Sequence, residues 1–137
     1  MPAVTGVVET CLYVSDLERA ARFYEEVCDF RRLIGDERFC AFSVADRDVL
    51  LLFVERATLE AVPTAGGVIP PHDGTGDQHV AFAIPAEAEA EWTKRLGERG
   101  VEIESTVDWP RGGRSVYFRD PDRHLVELIT PGCWSIY

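Results

Sequence analysis

The sequence is poor in lysine and has no long hydrophobic run. Its single lysine is Lys94, arginines supply the rest of the positive charge, and the formal net charge is −10 over 137 residues. Proteins that bind nucleic acids or anionic membranes need basic patches to neutralise phosphates, so the composition argues against both partners. No apolar run approaches the roughly 20 residues that a membrane-spanning helix requires.

Cysteine is present, but it is not arranged as in a disulfide framework or a zinc knuckle. Four cysteines occur, and no two of them are spaced as Cys-x-x-Cys. The N-terminus also lacks the basic segment and long apolar stretch of a signal peptide. We therefore expect a cytoplasmic protein whose thiols are reduced.

What the sequence does contain is an internal repeat. Residues 9–14 (ETCLYV) align with residues 79–84 (HVAFAI), and each run leads into a helical pattern. Each strand-like run opens with a potential metal ligand, which is Glu9 in the first run and His79 in the second. Equivalent positions of a repeat meet around a pseudo-twofold axis, so these two residues are candidates for one shared site.

A second pair of segments repeats in the same way. Residues 45–53 align with residues 121–129, since an acidic turn precedes an apolar strand in both. In this alignment Glu127 falls on Leu51. Glu127 therefore joins the two residues that open the earlier runs as a candidate for the shared site.

Hydrophobic periodicity predicts the order β-α-β-β-β in each half. In the first half the predicted elements are a strand over 6–14, a helix from Leu17 to Cys28, and strands over 30–34, 39–44 and 49–54. In the second half they are a strand over 79–84, a helix over 86–99, and strands over 101–107, 115–118 and 125–130. The predicted fold class is α+β, with two tandem βαβββ modules.

We expect one domain over 1–137, with module 1 at about 6–55, a linker at about 56–78 and module 2 at about 79–131. A short helical turn is predicted within 56–62. The stretch 63–77 is too rich in glycine and proline for regular structure. Loops of this length are uncommon unless they are linkers or functional, so this one is either a plain connection or a lid over the site.

Strand side chains alternate between two faces, which places Glu9, Cys11 and Tyr13 together. Glu127 lies within the apolar run 125–129, where a buried carboxylate without a partner is costly and a metal ion would neutralise it. An edge strand that leaves the carboxylate in water, or an ion pair with an arginine, is the alternative. Considered without the repeat, Glu9 fits an ordinary surface residue and His79 fits a structural histidine.

Two motifs resemble the vicinal oxygen chelate superfamily, which includes glyoxalases, bleomycin-resistance proteins, fosfomycin-resistance enzymes and extradiol dioxygenases. They are residues 12–24 (LYVSDLERAARFY) and residues 117–128 (YFRDPDRHLVEL). The resemblance covers essentially the whole chain and implies that the two modules form a curved mixed sheet around a metal and substrate cavity. It also implies four metal-ligand positions, which are Glu9, Leu51, His79 and Glu127. Leucine cannot ligate, so the chain departs from the four-ligand pattern of glyoxalase I and keeps three ligands.

One imidazole and two carboxylates suit one divalent ion such as Mn, Fe, Co, Ni or Zn. Open coordination positions would let the ion act as a Lewis acid on a small substrate that chelates through adjacent oxygens. The resemblance implies catalytic roles for Glu127 and for Tyr117, the latter as a hydrogen-bond or proton donor, although Tyr117 could also be a core aromatic residue. The usual iron dioxygenase triad has two histidines and one carboxylate, so dioxygenase chemistry is less favoured.

Further residues are candidates for binding the substrate. The glycine-rich loop that contains Trp109, Arg111 and Arg114 would bind an anionic group through its arginines. The alternative is that these arginines are surface charges paired with acids. His72 lies in the linker and is close enough in sequence to the fifth strand to reach the cavity, whereas His124 is expected to be exposed.

The function predicted from these observations is a divalent-metal-dependent enzyme of the isomerase, lyase or dioxygenase type. The alternative is a metal-free protein that sequesters a small molecule, as bleomycin-resistance proteins do, and a further alternative is a non-catalytic relative. Relatives commonly bury the open edge of the sheet against a second copy, so we expect a homodimer, with the apolar C-terminal residues Trp134, Ile136 and Tyr137 as candidates for the contact.

Overall fold

A computed structural model describes all residues from 1 to 137. The chain divides into two compact units, Met1–Thr75 (unit 1) and Gly76–Tyr137 (unit 2). Each unit carries its own four-stranded sheet, and the α+β class predicted from the sequence is confirmed. No helix in the structure has both the length and the apolar character needed to cross a membrane.

Unit 1 is a βαβββ module followed by a hairpin. Its elements are β1 (Glu9–Val14), α1 (Leu17–Cys28), β2 (Arg31–Gly35), β3 (Phe39–Val44), β4 (Asp48–Val54), β5 (Val62–Thr64) and β6 (Gly67–Ile69). The sheet order is β1-β4-β3-β2, and β1 runs parallel to β4 while the other pairs are antiparallel. Helix α1 begins where the Asp16 side chain accepts a hydrogen bond from the Arg19 backbone N–H, and it ends at Asp29 in the left-handed region.

Unit 2 repeats the module. Its elements are β7 (His79–Ala83), a short 3₁₀ turn (Ala86–Ala88), α2 (Glu89–Glu98), β8 (Ser105–Asp108), β9 (Arg114–Arg119) and β10 (Leu125–Ile129). The sheet order is β7-β10-β9-β8, with β7 parallel to β10. The order and the directions of the strands therefore match those of unit 1.

Strand register confirms the repeat that the sequence alignment predicts. In unit 1, Cys11 of β1 is paired with Leu51 of β4. In unit 2, Ala81 of β7 is paired with Glu127 of β10. Cys11 and Ala81 each lie two residues after the residue that opens the strand, so Leu51 and Glu127 occupy equivalent positions.

Each unit has a core made from the inward face of its sheet. In unit 1 the fully buried residues include Leu12, Val14, Tyr24, Phe42, Leu50 and Leu52. In unit 2 they include Leu96, Val116, Phe118, Val126 and Leu128. Burying one such side chain stabilises the fold by about 1.5–3 kcal/mol. The opposite face of each sheet is thereby left for the residues of the candidate site.

The linker differs from the prediction, because part of it is regular structure. Strands β5 and β6 pair as a hairpin, with Thr64 opposite Gly67. The two residues between them are Ala65 and Gly66, and Gly67 has φ +152°, a value that favours glycine. The expectation of irregular structure over 63–77 was wrong at this hairpin, since the glycines close a tight turn instead of preventing pairing. The short helical turn expected within 56–62 is also absent, and turns and bends cover residues 55–60.

Two strands start later than the sequence analysis predicts. β1 starts at Glu9 rather than at residue 6, and β8 starts at Ser105 rather than at residue 101. After α2, Gly100 takes φ +69° and the Val101 N–H donates to the Leu96 carbonyl. This turn ends the helix, and the strand starts only at Ser105.

Candidate functional site

The centre of the candidate site in unit 2 is a contact between a histidine and a carboxylate. His79 opens β7, and Glu127 lies on the neighbouring strand β10, two residues beyond the partner of His79 in the register. His79 Nε2 and Glu127 Oε1 are 3.3 Å apart. The imidazole is half exposed, whereas the Glu127 side chain is only 8% exposed. The fold thus brings together two of the three residues predicted to ligate the metal.

A chain of hydrogen bonds fixes the Glu127 carboxylate. The fully buried Ser115 hydroxyl donates to Glu127 Oε2 at 2.5 Å, and the Trp109 indole N–H donates to Ser115 Oγ at 2.8 Å. One carboxylate oxygen is thereby occupied by the protein. The other oxygen, Oε1, faces His79.

The His79 ring is oriented by the main chain. Its Nδ1 lies 2.9 Å from the carbonyl oxygen of Leu125. A carbonyl can only accept, so Nδ1 carries the hydrogen in this contact. In the neutral imidazole Nε2 then presents a lone pair to Glu127 Oε1, which is also an acceptor. Two facing acceptors require a positive charge, either a proton on Nε2 or a bound cation.

This donor set fits a divalent cation. Two ligand atoms that each lie about 2.1 Å from one ion, at coordination angles near 90–109°, are about 3.0–3.4 Å apart. The observed separation of 3.3 Å between Nε2 and Oε1 falls in this range. A metal-bound histidine that donates its other ring N–H to a carbonyl is also a common arrangement. Neither unit groups three His, Cys, Asp or Glu side chains in a way that could hold a metal ion.

Tyr117 lies beside this pair. It is opposite Glu127 in the register between β9 and β10, and it is half-buried. Burial raises the pKa of the Tyr117 phenol, the Glu127 charge raises it further, and a hydrogen bond with Ser115 works in the opposite direction.

Glu9, the third predicted ligand, lines a cavity within unit 1. Glu9, Cys11 and Tyr13 all face this cavity of about 790 Å³, as strand alternation predicts. Its apolar wall consists of Leu33, Ile34, Phe39, Ala41, Val49, Leu51, Phe53, Val62, Ile69 and Pro70. Leu51 adds to that wall and offers no ligand atom.

His72 reaches the same cavity, as the sequence predicts for a linker residue. Its Nδ1 is 2.5 Å from the Tyr13 hydroxyl, and its ring packs edge-on against Phe53 at 4.6 Å between centroids. The His72 backbone N–H donates to the Thr58 carbonyl, and the Thr58 hydroxyl donates to the His72 carbonyl. Burial raises the pKa of Tyr13 to about 12, and the nearby Cys11 and Asp73 act in the same direction. Unit 1 therefore holds the Tyr13–His72 pair in a cavity whose wall is mainly apolar.

The arginine loop has a different arrangement from the one expected of an anion site. Arg114 Nε donates to Glu89 at 2.5 Å, and Arg114 Nη1 donates to Asp108 at 2.6 Å. Both acids raise the pKa of the guanidinium, with Asp108 contributing most. Arg111 lines a separate depression of about 330 Å³ next to Trp134. The pairing of Arg114 matches the surface-charge alternative, and its anion-binding role stays a prediction.

Two residues of unit 2 have roles that the sequence analysis missed. Ser115 holds Glu127, and its place on the same strand face as Tyr117 was the available signal. His124, which we expected to be exposed, is 1% exposed. Its Nδ1 accepts from the Gln78 backbone N–H, and its own backbone N–H donates to Asp120, because the turn before β10 folds inward instead of into solvent.

Comparisons with known proteins identify the family of this chain. The family model for the Glyoxalase/Bleomycin resistance protein/Dioxygenase superfamily matches residues 6–128. The chain is 31% identical to the metallothiol transferase FosB of Bacillus licheniformis, over 93% of this chain and 76% of that protein. It is 32% identical to the fosfomycin resistance protein FosX of Listeria innocua, over 91% of this chain and 89% of that protein.

Similarity extends to solved structures. The crystal structure of lactoylglutathione lyase from Agrobacterium tumefaciens matches with a TM-score of 0.88 and 30% identity, covering 98% of this chain and 99% of that one. The expectation of a divalent-metal-dependent enzyme that acts on a small molecule is confirmed, and the metal-free sequestering protein is not favoured. The chain belongs to the Glyoxalase/Bleomycin resistance protein/Dioxygenase superfamily.

Proposed function

We propose that His79, Glu127 and Glu9 hold the metal ion and that the enzyme carries out lyase, isomerase or group-transfer chemistry on a small substrate with adjacent oxygens. The observation that carries this proposal is the facing pair of acceptors in unit 2, His79 Nε2 and Glu127 Oε1, at 3.3 Å. Glu9 is added because it opens β1 as His79 opens β7. The Glu9 ligand at this metal site would come from the same chain or from a second copy of the chain.

The ligand set favours the harder ions among the candidates. Carboxylates suit Mn²⁺, and imidazole suits Fe, Ni and Zn, so the second carboxylate shifts the preference towards Mn²⁺. When bound, the ion would polarise a substrate oxygen as a Lewis acid. Two carboxylates with one histidine reverse the balance of the usual dioxygenase triad, which supports the non-oxidative reaction classes.

The protein's own residues would orient the reacting groups. Ser115 and Trp109 form the hydrogen-bonded chain that keeps one Glu127 oxygen directed at His79. Tyr117 lies beside Glu127, where its hydroxyl can donate a hydrogen bond to a substrate oxygen. Leu51 leaves the fourth ligand position of glyoxalase I vacant for water or for the substrate.

We also propose that the enzyme is a cytoplasmic homodimer. Trp134 is 67% exposed and Ile136 is 95% exposed, and large exposed apolar residues of this kind often lie in interfaces. Tyr137 instead folds back on its own unit, since its hydroxyl donates to the Ile129 carbonyl. All four cysteines are free, which supports a reducing compartment. Light scattering that gives a monomer mass at micromolar concentration would remove the dimer.

Turnover before and after metal removal tests the proposed reaction. The wild-type protein is stripped with a chelator, reconstituted with Mn²⁺ or Fe²⁺, and incubated with a panel of epoxides and of adducts between 2-oxoaldehydes and thiols. We expect product, detected by mass spectrometry, only from the reconstituted wild type and not from Glu127→Gln. Turnover that survives complete metal removal, or that is unchanged in Glu127→Gln, would contradict the proposal.

A further inference from the structure

We propose that the unit 1 cavity binds the apolar body of a neutral or cationic small molecule, of the size of a naphthyl group or larger, and discriminates against compact anions such as phosphonates. This inference deepens the proposed function. It rests on that function only where Glu9, the proposed metal ligand, is taken to bring the ion to the same cavity.

The first argument is the wall of the cavity. Aromatic rings line one side, where Phe39 and Phe53 stack at 5.8 Å and Tyr13 and Phe53 stack at 6.0 Å between centroids. Aliphatic side chains from β2 and from the β5–β6 hairpin complete it, including Ile34 and Ile69. The volume of about 790 Å³ lies within the range of small-molecule sites, about 300–1,000 Å³. Such a wall stabilises the apolar body of a ligand.

The second argument is charge. The lining contains two carboxylates, Glu9 and Glu60, and one cation, Arg38. Arg38 Nη2 is 3.1 Å from Asp36 Oδ2, so its charge is already compensated. An anion in this cavity would meet acids without a free counter-charge, whereas a cation would be attracted. The charge of Arg114 in unit 2 is likewise compensated, because two acids pair with it.

The third argument is the hydrogen-bonded pair of Tyr13 and His72. The Tyr13 hydroxyl and His72 Nδ1 are 2.5 Å apart, and Thr58 fixes the His72 backbone on both sides. A few fixed polar groups in a mainly apolar cavity are the usual composition of a small-molecule site. The pair would orient the one polar group of a ligand whose remainder packs on the aromatic wall.

A fluorescent probe tests the apolar site. N-phenyl-1-naphthylamine, which is neutral and brightens in apolar surroundings, is titrated into the whole protein. We expect saturable binding with one site per chain, and about tenfold weaker binding in Ile69→Asn. Val68→Asn is the matched control, because Val68 is 65% exposed on the same strand and does not line the cavity. Absence of saturable binding, or equal effects of the two substitutions, would overturn the proposal.

A charge series tests the discrimination. The competitors are 1-naphthylmethylamine, 1-naphthalenemethanol and 1-naphthylphosphonate, with fosfomycin as a compact phosphonate. We expect the amine and the alcohol to displace the probe about tenfold more effectively than the naphthylphosphonate, and fosfomycin not to displace it. Glu60→Gln should reduce the advantage of the amine over the alcohol. Equal or better displacement by the phosphonates would contradict the charge argument.

The same titration on His79→Ala separates this inference from the proposed function. His79 belongs to unit 2 and is absent from the cavity lining, so probe binding should persist when metal binding is lost. Wild-type protein that binds the probe but no metal would remove the metal site alone. Protein that binds metal but not the probe would remove the cavity assignment alone.

Discussion

Units 1 and 2 share strand order, strand direction and register, yet equivalent positions carry opposite chemistry. Leu51 on β4 corresponds to Glu127 on β10. On the neighbouring strands the register pairs Ala41 with Leu51 and Tyr117 with Glu127. Phe39 lies two residues before Ala41 in unit 1, and Ser115 lies two residues before Tyr117 in unit 2.

This difference shows what a buried carboxylate requires of its surroundings. Glu127 is tolerated because Ser115 donates to one oxygen and Trp109 supports Ser115. Unit 1 has Leu51, Ala41 and Phe39 at the positions of Glu127, Tyr117 and Ser115, and these three residues line its cavity. The same backbone thus supports a buried polar cluster in one unit and a mainly apolar cavity wall in the other.

The largest effect is expected when Glu127 is made to resemble its counterpart. Glu127→Leu should weaken Mn²⁺ binding about a hundredfold or more, because it removes a ligand and leaves the Ser115 hydroxyl without its acceptor. The measurement is the gain in the free energy of unfolding on adding Mn²⁺ at a hundred times the wild-type Kd, which should be about 2.7 kcal/mol for the wild type and about 0.4 kcal/mol or less for the variant.

Glu127→Gln is the matched control for that substitution. The amide oxygen can still accept from Ser115, and the amide N–H can donate to His79 Nε2 in place of the facing acceptors. The metal-free variant should therefore be at least as stable as the metal-free wild type, although it too loses the Mn²⁺ response. A metal-free Glu127→Gln protein clearly less stable than wild type would contradict the account of the facing acceptors.

The converse change places a carboxylate in unit 1. Leu51→Glu should destabilise the metal-free protein by about 1–3 kcal/mol, since Phe39 and Ala41 offer the new acid no hydrogen bond. A divalent ion should relieve this loss, because Glu9 lines the same cavity and the two carboxylates could share the ion. Denaturant unfolding with and without Mn²⁺ measures both effects. Leu51→Met controls for packing, and a loss as large in that variant would point to packing instead of charge.

A smaller effect is expected from the residues that support Glu127. Ser115→Ala should weaken Mn²⁺ binding about tenfold, because groups that orient metal ligands typically contribute that much to affinity. Calorimetric titration measures the change. Ser115→Thr keeps the hydroxyl and should retain most of the affinity, so equal losses in the two variants would indicate a packing effect.

The smallest effect on the metal is expected at Arg114. Because Glu89 and Asp108 already neutralise it, Arg114→Ala should leave Mn²⁺ affinity within about twofold of wild type and lower stability only slightly. If the loop binds an anionic substrate group instead, the variant should raise KM for the substrate while leaving metal binding intact. Steady-state kinetics together with the metal titration distinguish these outcomes.

Much of the fold could be predicted because the repeat and the periodicity act locally. Helix α1 has the predicted bounds, Leu17 to Cys28, and the equivalence of Leu51 with Glu127 follows from the alignment of the two halves. The β5–β6 hairpin could not be predicted, because its glycines indicate a turn without indicating whether the flanking residues pair. The burial of His124 was missed because the hydrogen bond from its backbone N–H to the Asp120 carboxylate forms only in the folded turn.

The candidate site was predictable in its residue types but not in its connections. Strand alternation places Glu9, Cys11 and Tyr13 on one face, and the structure confirms this. The bond between Tyr13 and His72 joins residues 59 positions apart, and the pairing of Arg114 with Glu89 joins residues 25 positions apart. Such contacts depend on tertiary structure, so local patterns do not indicate them.

The most direct test of the central claim is the metal content of the purified protein. The protein is prepared without chelators or a nickel column, reconstituted in turn with Mn, Fe, Co, Ni and Zn, and analysed by elemental mass spectrometry. The account predicts about one ion per wild-type chain, and about a tenth of that or less in His79→Ala and in Glu127→Gln. Wild-type protein without stoichiometric metal, or His79→Ala with as much metal as wild type, would contradict it.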